Sequence, residues 1–276
     1  MAVTAKEVNK LRQMTGAGMM DCKKALVEAD GDFDKAVEIL RKKGQKVSAK
    51  RSDRETNEGS VFVRTNDDKS KGIIIAIGCE TDFVGKNEEF IKLGESITDA
   101  AFNNNPATID ELKQVKIGNE TVEDKITELV GKIGEKIDIL SYEIMEGEQV
   151  VPYVHAGNKL GVLVSLKNTD GSDLTDAGRD VAMQIAAMNP VALDKDGVDS
   201  ATVEKEIEIG KEQARAEGKP EQIVEKIAMG KLAKFFKENT LLEQAFVKDN
   251  SQSISQYLNG VKNGLTVSEF KRISIG

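Results

Sequence analysis

Residues that catalysis, metal binding or disulfide bonding would need are scarce in this sequence. One histidine and two cysteines occur among 276 residues, and His155, Cys22 and Cys79 lie far apart along the chain. No ordinary zinc spacing exists. Two cysteines cannot build a disulfide framework, which points to a reducing compartment. No run of apolar residues approaches the roughly 20 needed for a membrane helix, and residues 1–10 have no signal-peptide core, so a cytoplasmic protein away from membranes is expected. Positive charge is not in excess either. With 39 basic and 47 acidic residues the net charge is −8, so the global field that draws a chain to nucleic acid is missing. Neither a G-x-x-x-x-G-K-[ST] phosphate loop nor a G-x-S-x-G elbow occurs. The carboxylates are scattered, and no general acid–base pair stands out. Cys22 falls on an apolar helix face and Cys79 at the end of a buried strand, the usual setting of structural thiols. No catalytic residue, metal or cofactor is expected. The chain reads as a binding or interaction protein.

What is present is an ordinary globular composition, 39 % hydrophobic and 31 % charged, on a chain long enough for more than one core. Thr4 and Glu7 have capping-box spacing, and Val8, Leu11 and Met14 follow on one helix face. Gly16-Ala17-Gly18 makes a turn. A second helix, 19–29, turns Met19 or Met20, Cys22 and Leu26 inward, and Asp32 caps a third that buries Phe33, Val37 and Leu40. These helices define an N-terminal unit at residues 1–45, and the charged stretch 46–58 reads as a linker. Its basic residues lack the interleaved aromatics that base stacking needs.

From residue 59 the pattern alternates between strands and helices. Strands at 59–65 and 72–79 form a hairpin, a helix runs from Asn87 to about Phe102, and a strand returns at 137–145. The same grammar recurs after residue 148: strands at 150–155 and 160–167 meet at Gly157-Asn158, and a helix with Val181, Ile185 and Met188 inward follows. Gly161-Val162-Leu163-Val164 echoes Gly72-Ile73-Ile74-Ile75. The fold class is therefore α+β, with two related units at 59–147 and 148–276. An antiparallel helical hairpin is inserted at about 190–240, where Gly218-Lys219-Pro220 makes its turn. Ile223, Ile227, Leu232, Phe235 and Phe236 make its second helix the stickier one. A hairpin of this kind often meets its own copy.

The stretch Cys79-Glu80-Thr81-Asp82-Phe83-Val84-Gly85-Lys86-Asn87 sets an aromatic residue and a carboxylate in a polar turn between a strand and a helix. No periodic pattern assigns Phe83 to a core. It is either a local staple on the following helix or an anchor for another molecule.

Three motifs resemble one family. Leu11-Arg12 with Thr15-Gly16-Ala17-Gly18-Met19-Met20-Asp21-Cys22-Lys23-Lys24-Ala25-Leu26, then Cys79 to Val84, then Leu241-Leu242-Glu243-Gln244-Ala245-Phe246-Val247-Lys248-Asp249 are similar to the hallmarks of elongation factor Ts. Members of that family are guanine-nucleotide exchange factors for elongation factor Tu. The resemblance implies a ubiquitin-associated-like three-helix domain, two related α+β subdomains with small antiparallel sheets, and a helical insertion. It also implies elongation factor Tu as partner, both GDP-bound and nucleotide-free, with no direct contact to nucleic acid. A homodimer or a 2:2 complex is an alternative it leaves open. Thr81, Asp82, Phe83 and Val84 match the segment that disturbs the partner's Mg²⁺ site. Leu11, Arg12, Ile133, Gly134, His155, Val247 and Lys248 match partner-binding positions. Three other readings lean on different stretches: an adaptor built on residues 1–44, a thiol enzyme built on Cys79, and a structural dimer built on residues 202–237.

Overall fold

The computed structural model describes residues 3–276; Met1 and Ala2, the start of the expected N-terminal unit, lie outside the described residues. Helices α1 (Ala5–Thr15), α2 (Met19–Glu28) and α3 (Phe33–Lys50) open the chain. The capping box forms as expected: the Glu7 N–H donates to Thr4 Oγ1 at 3.3 Å and the Thr4 N–H donates to the Glu7 carboxylate at 2.7 Å. Val8, Leu11, Cys22, Ala25, Leu26 and Ala36 are buried together. Met19 and Met20 are both exposed, against the expectation that one points inward. Cys22, Ala25 and Leu26 occupy the inward positions of α2 instead. Helix α3 also runs to Lys50, into the stretch expected to be a linker. Tertiary contact carries it through that polar run: Val47 packs on the first core, and a Cβ added at Gly131 would stand 2.7 Å from the Gly44 Cα.

Strands β1 (Glu58–Thr65) and β2 (Lys71–Cys79) form the expected hairpin. After them come a single helical turn α4 (Asp82–Gly85), then α5 (Glu88–Asn104) and α6 (Ile109–Gln114). A small ladder of β3 (Lys116–Ile117) with β4 (Glu120–Thr121) precedes α7 (Val122–Ile133). β5 (Ile137–Glu146) then returns to pair antiparallel with β2, giving the order β1-β2-β5. The second sheet repeats that topology. β6 (Gln149–Val154) and β7 (Leu160–Lys167) form a hairpin, α8 (Thr175–Met188) and further helices follow, and a late strand pairs with the middle one.

The inserted hairpin consists of α9 (Ser200–Ala216) and α10 (Glu221–Asn239). Its buried positions are Gly210, Ala214, Val224, Ala228 and Leu232; of the residues expected to make the second helix sticky, Leu232 is buried there and Ile223 is exposed. A Cβ at Gly210 would sit 3.0 Å from the Ala228 Cα. Close backbone approach, not large side chains, joins the two helices. The chain returns through β8 (Ala245–Phe246), β9 (Asp249–Ser253) and α11 (Ile254–Val261), and β10 (Thr266–Ser274) completes the second sheet on β7. Met188, expected inward on α8, is exposed, whereas Val181 and Ile185 are fully buried. No helix among the described residues is long and apolar enough to cross a membrane.

The two sheets face each other. Ile73, Ile75 and Ile77 of β2 point to the helices α5 and α7, while Ile74 and Ala76 join Val61, Met145, Val150, Leu163 and Ile273 between the sheets. Burying each such isoleucine contributes about 2 kcal/mol. Beyond β7, Val162, Val164 and Leu166 form a third core with α8 and α11. Gly72 and Gly161 allow the sheets to approach: a Cβ at Gly161 would lie 2.5 Å from Val61 Cγ1 and 2.9 Å from Ile74 Cδ1. Gly161→Leu should therefore lower unfolding stability by about 1–3 kcal/mol through overpacking. Urea denaturation followed by circular dichroism checks this, and an unchanged midpoint would contradict the packing.

Candidate functional site

The turn after β2 closes on the first core through Val84, which is buried, and through the Ser60 hydroxyl, which donates to the Gly85 carbonyl at 3.2 Å. Asn87 caps α5, its Oδ1 accepting the Glu89 N–H at 2.9 Å. Between these fixed points α4 presents Phe83, which is 82 % exposed. Phe83 is therefore not a staple on the following helix; Val84 makes the inward contact. Asp82 is half-buried and pairs with Lys86 at 2.7 Å. That hydrogen bond holds the Asp82 carboxyl below the usual carboxylate range.

The other sequence-predicted positions fall into two groups. Ile133 closes α7, half-buried against the first core, and Gly134 caps it in the left-handed conformation at φ 82°. The next residue, Glu135, accepts the Thr81 hydroxyl at 2.8 Å and the Thr81 N–H at 3.0 Å, so positions 133–134 and 81–84 are held side by side. Arg12 is exposed in the last turn of α1, and its carbonyl accepts the Gly16 N–H at 2.7 Å. Gly16 has φ +63°, and a Cβ there would collide with the Lys132 Nζ at 2.1 Å. The backbone conformation favours glycine here, and the Lys132 ammonium lies in the space a side chain would take. Lys132 pairs in turn with Glu89 of α5. A chain of contacts thereby links the α1–α2 turn, the end of α7 and the start of α5. Leu11 differs from its neighbour. It is fully buried among the N-terminal helices, so its side chain supports the α1 surface and offers none itself. Exposed Met14, Met19 and Met20 lie around the same turn.

His155 is exposed on the β6–β7 hairpin, with its Nδ1 2.9 Å from the Tyr153 hydroxyl. That hairpin borders the same turn: Gly157, Asn158 and Lys159 line a cleft with Asp82 and Lys86. Val247 and Lys248 belong instead to the helical layer of the second sheet. The Val247 N–H donates to the Gln184 Oε1 at 2.8 Å, and Lys248 pairs with Asp180 at 2.6 Å. Phe246 beneath them stacks on Tyr257, with ring centroids 4.4 Å apart. Sequence patterns gave no warning of Glu135 or Lys132, because both are ordinary charged residues at a helix end.

Cys79 does not behave as a nucleophile. It is fully buried and donates to the Thr81 carbonyl at 3.1 Å. Burial first, then the nearby Glu135 and Glu58 charges, push its thiol up to about 12. The native thiol therefore keeps its proton, while the unfolded chain releases it from about pH 9 upward. Stability should fall as pH rises from about 9 toward 12. Iodoacetamide should modify Cys79 at pH 8 only in denaturant, as read by mass spectrometry; rapid labelling of the folded protein would show the opposite.

The geometry is accompanied by clear sequence relationships. The family model described as Elongation factor TS matches residues 80–276. Elongation factor Ts of Cytophaga hutchinsonii is 61 % identical over 274 residues, covering 99 % of each chain. The protein of the same name from Amoebophilus asiaticus is 56 % identical over 276 residues, covering all of both. That from Christiangramia forsetii is 53 % identical over 275 residues, covering 99 % of each. With these full-length relatives and the exposed aromatic turn in place, the chain belongs to the elongation factor Ts family.

Proposed function

We propose that this protein is a cytoplasmic guanine-nucleotide exchange factor that binds elongation factor Tu with GDP and promotes release of the nucleotide. It carries out no bond-making chemistry of its own. The observation that carries this reading is Phe83, an aromatic side chain 82 % exposed on a short helix whose ends are anchored. An aromatic held in water on a rigid turn is suited to insert into a pocket of another protein. Asp82 beside it brings negative charge toward the partner's Mg²⁺ site. Mg²⁺ tolerates little departure from octahedral geometry, so small shifts of its supporting loops weaken metal and nucleotide together. By linkage, nucleotide must also weaken the factor's hold, and incoming GTP releases it.

The proposed contact surface has two parts. Arg12, Ile133 and Gly134 flank Phe83, with Met14, Met19 and Met20 adding apolar area, and these grip the nucleotide-binding domain of the partner. Val247 and Lys248 serve a second domain of it, and His155 adds a contact from the hairpin that borders the Asp82 turn. In this reading residues 1–45 are the ubiquitin-associated-like arm, 46–58 connect it with the end of α3 as their first part, and 59–147 and 148–276 are related subdomains, the second carrying the helical insertion. The shared order of the two sheets supports that division.

The test is release of a fluorescent GDP analogue from elongation factor Tu at fixed Mg²⁺. The native protein should accelerate release. Phe83→Ala should lose at least about tenfold of that acceleration, or about 1.4 kcal/mol, while remaining folded. A native protein without effect on a cognate partner would refute the exchange reading.

A further inference from the structure

The dipeptides Glu80-Thr81 and Glu135-Lys136 hold each other reciprocally. The Glu80 carboxylate accepts the Lys136 N–H at 2.6 Å. The Glu135 carboxylate accepts the Thr81 N–H at 3.0 Å and the Thr81 hydroxyl at 2.8 Å. Each acid thus satisfies a backbone donor of the other pair, directly beyond the last rung of the β2–β5 ladder, Cys79 opposite Ile137. Thr81 stands at the N-cap of α4, yet its side chain makes no cap hydrogen bond. Its hydroxyl is turned to Glu135. A cap would have served a four-residue helix locally; the bond that is made serves the fit between two segments.

A third segment joins. Arg51 Nη1 donates to both Glu80 oxygens, at 2.7 and 3.0 Å. The Lys136 ammonium donates to the Ser52 carbonyl at 2.7 Å and the Arg54 carbonyl at 3.0 Å. Burial alone would raise the Glu80 carboxyl, but the Lys136 N–H and the Arg51 guanidinium outweigh it and hold the group below its usual range. Phe83 is two residues beyond Thr81, and its own side chain has little packing to fix it. Val84 and the Ser60–Gly85 bond hold the far side of the turn, and what fixes Glu80 and Thr81 holds the near side, so the direction in which Phe83 projects depends on both.

We infer that Glu135 and Glu80 are positioning residues for Phe83, and that their reciprocal clamp presents the aromatic anchor in one place relative to Ile133, Gly134 and the end of α3. The inference rests on the exchange reading above. Neither acid needs to touch the partner. When the clamp is lost the turn samples several positions, and only a fraction of molecules offers Phe83 correctly. Apparent affinity then falls by that fraction, while the effect of Phe83 once seated is unchanged. The signature is a change in half-saturation without a change in maximal rate.

The experiment compares the native protein with Glu135→Ala and the milder Glu135→Gln, whose amide oxygen still accepts one N–H. Nucleotide release is measured across factor concentrations. Glu135→Ala should raise the half-saturating concentration about tenfold and leave the maximal rate within about twofold, and Glu135→Gln should recover most of the loss. In a Phe83→Ala background, Glu135→Ala should add less than about twofold, because a positioning residue has nothing left to position. Hydrogen exchange of the Thr81, Gly85 and Lys86 amides, which are hydrogen-bonded in the native turn, should accelerate in Glu135→Ala, with the second sheet unaffected. Unchanged exchange at Gly85 and Lys86, or a full additional loss in the Phe83→Ala background, would overturn the inference. If the native protein fails to speed nucleotide release, the exchange reading falls with it, whereas the amide measurement still judges the clamp by itself.

Discussion

Strand β2 carries the fold. Every residue from Gly72 to Cys79 is buried, with Ile73, Ile75 and Ile77 on one face and Ile74 and Ala76 on the other. A strand buried on both faces must have a complete layer on each side. One layer is the set of helices that includes α5 and α7; the other is the whole second sheet. The same strand ends at Cys79, so the segment that displays Phe83 grows from the best-packed element of the chain. The Phe83 side chain is free, but its base is not.

That arrangement assigns different physical roles to adjacent residues. Val84 goes into the core, Phe83 into water, Asp82 to Lys86, and Thr81 and Glu80 to the α7–β5 connection. Within five residues the chain passes from full burial to nearly full exposure. An exposed aromatic contributes little to the unbound fold, which leaves the Phe83 side chain free for the contact proposed for it. The proposed exchange function uses that difference between states: a surface kept ready in the free protein costs less to order on association.

Much of this was legible in the residues, for identifiable reasons. The β1–β2 hairpin, α5, β5, the second hairpin and α8 carry strong signals, either period-2 or period-3.6 patterns or, in β2 and β7, unbroken apolar runs, and they appear within a few residues of the expected bounds. The end of α3 was not legible. Its inward positions there are Gly44 and Val47 within a charged run, too sparse a pattern to mark a buried face. The α9–α10 seam was only partly legible, through Leu232, because glycine and alanine make contact through the backbone, and hydrophobic patterning does not register such contacts. Met19, Met20 and Met188 look like core residues by type and are surface residues by position. The turn at 79–87 stood out as unusual, yet whether Phe83 faced inward or outward depended on Val84 and Ser60 taking the inward contacts. Glu80 and Glu135 are two acids among 47, and only their mutual placement distinguishes them.

The sheet pairings also set an order for folding during synthesis. β2 cannot acquire its second neighbour until β5 has been made, after the intervening residues 80–136, and β7 waits across residues 168–265 for β10. Such non-local pairings are slow to form, because a long loop must close before they contribute. Meanwhile the run Ile73-Ile74-Ile75-Ala76-Ile77, uncharged and strongly β-forming, emerges early with no partner for either face. It is the kind of segment that self-associates when left uncovered. Lys69, Lys71 and the acids Glu80 and Asp82 bracket it with charge. Two of those charges, Glu80 and Asp82, lie in the turn that presents Phe83, so the segment that shapes the surface of the folded protein also places charge beside its most exposed apolar run while the nascent chain waits for the strands that will cover it.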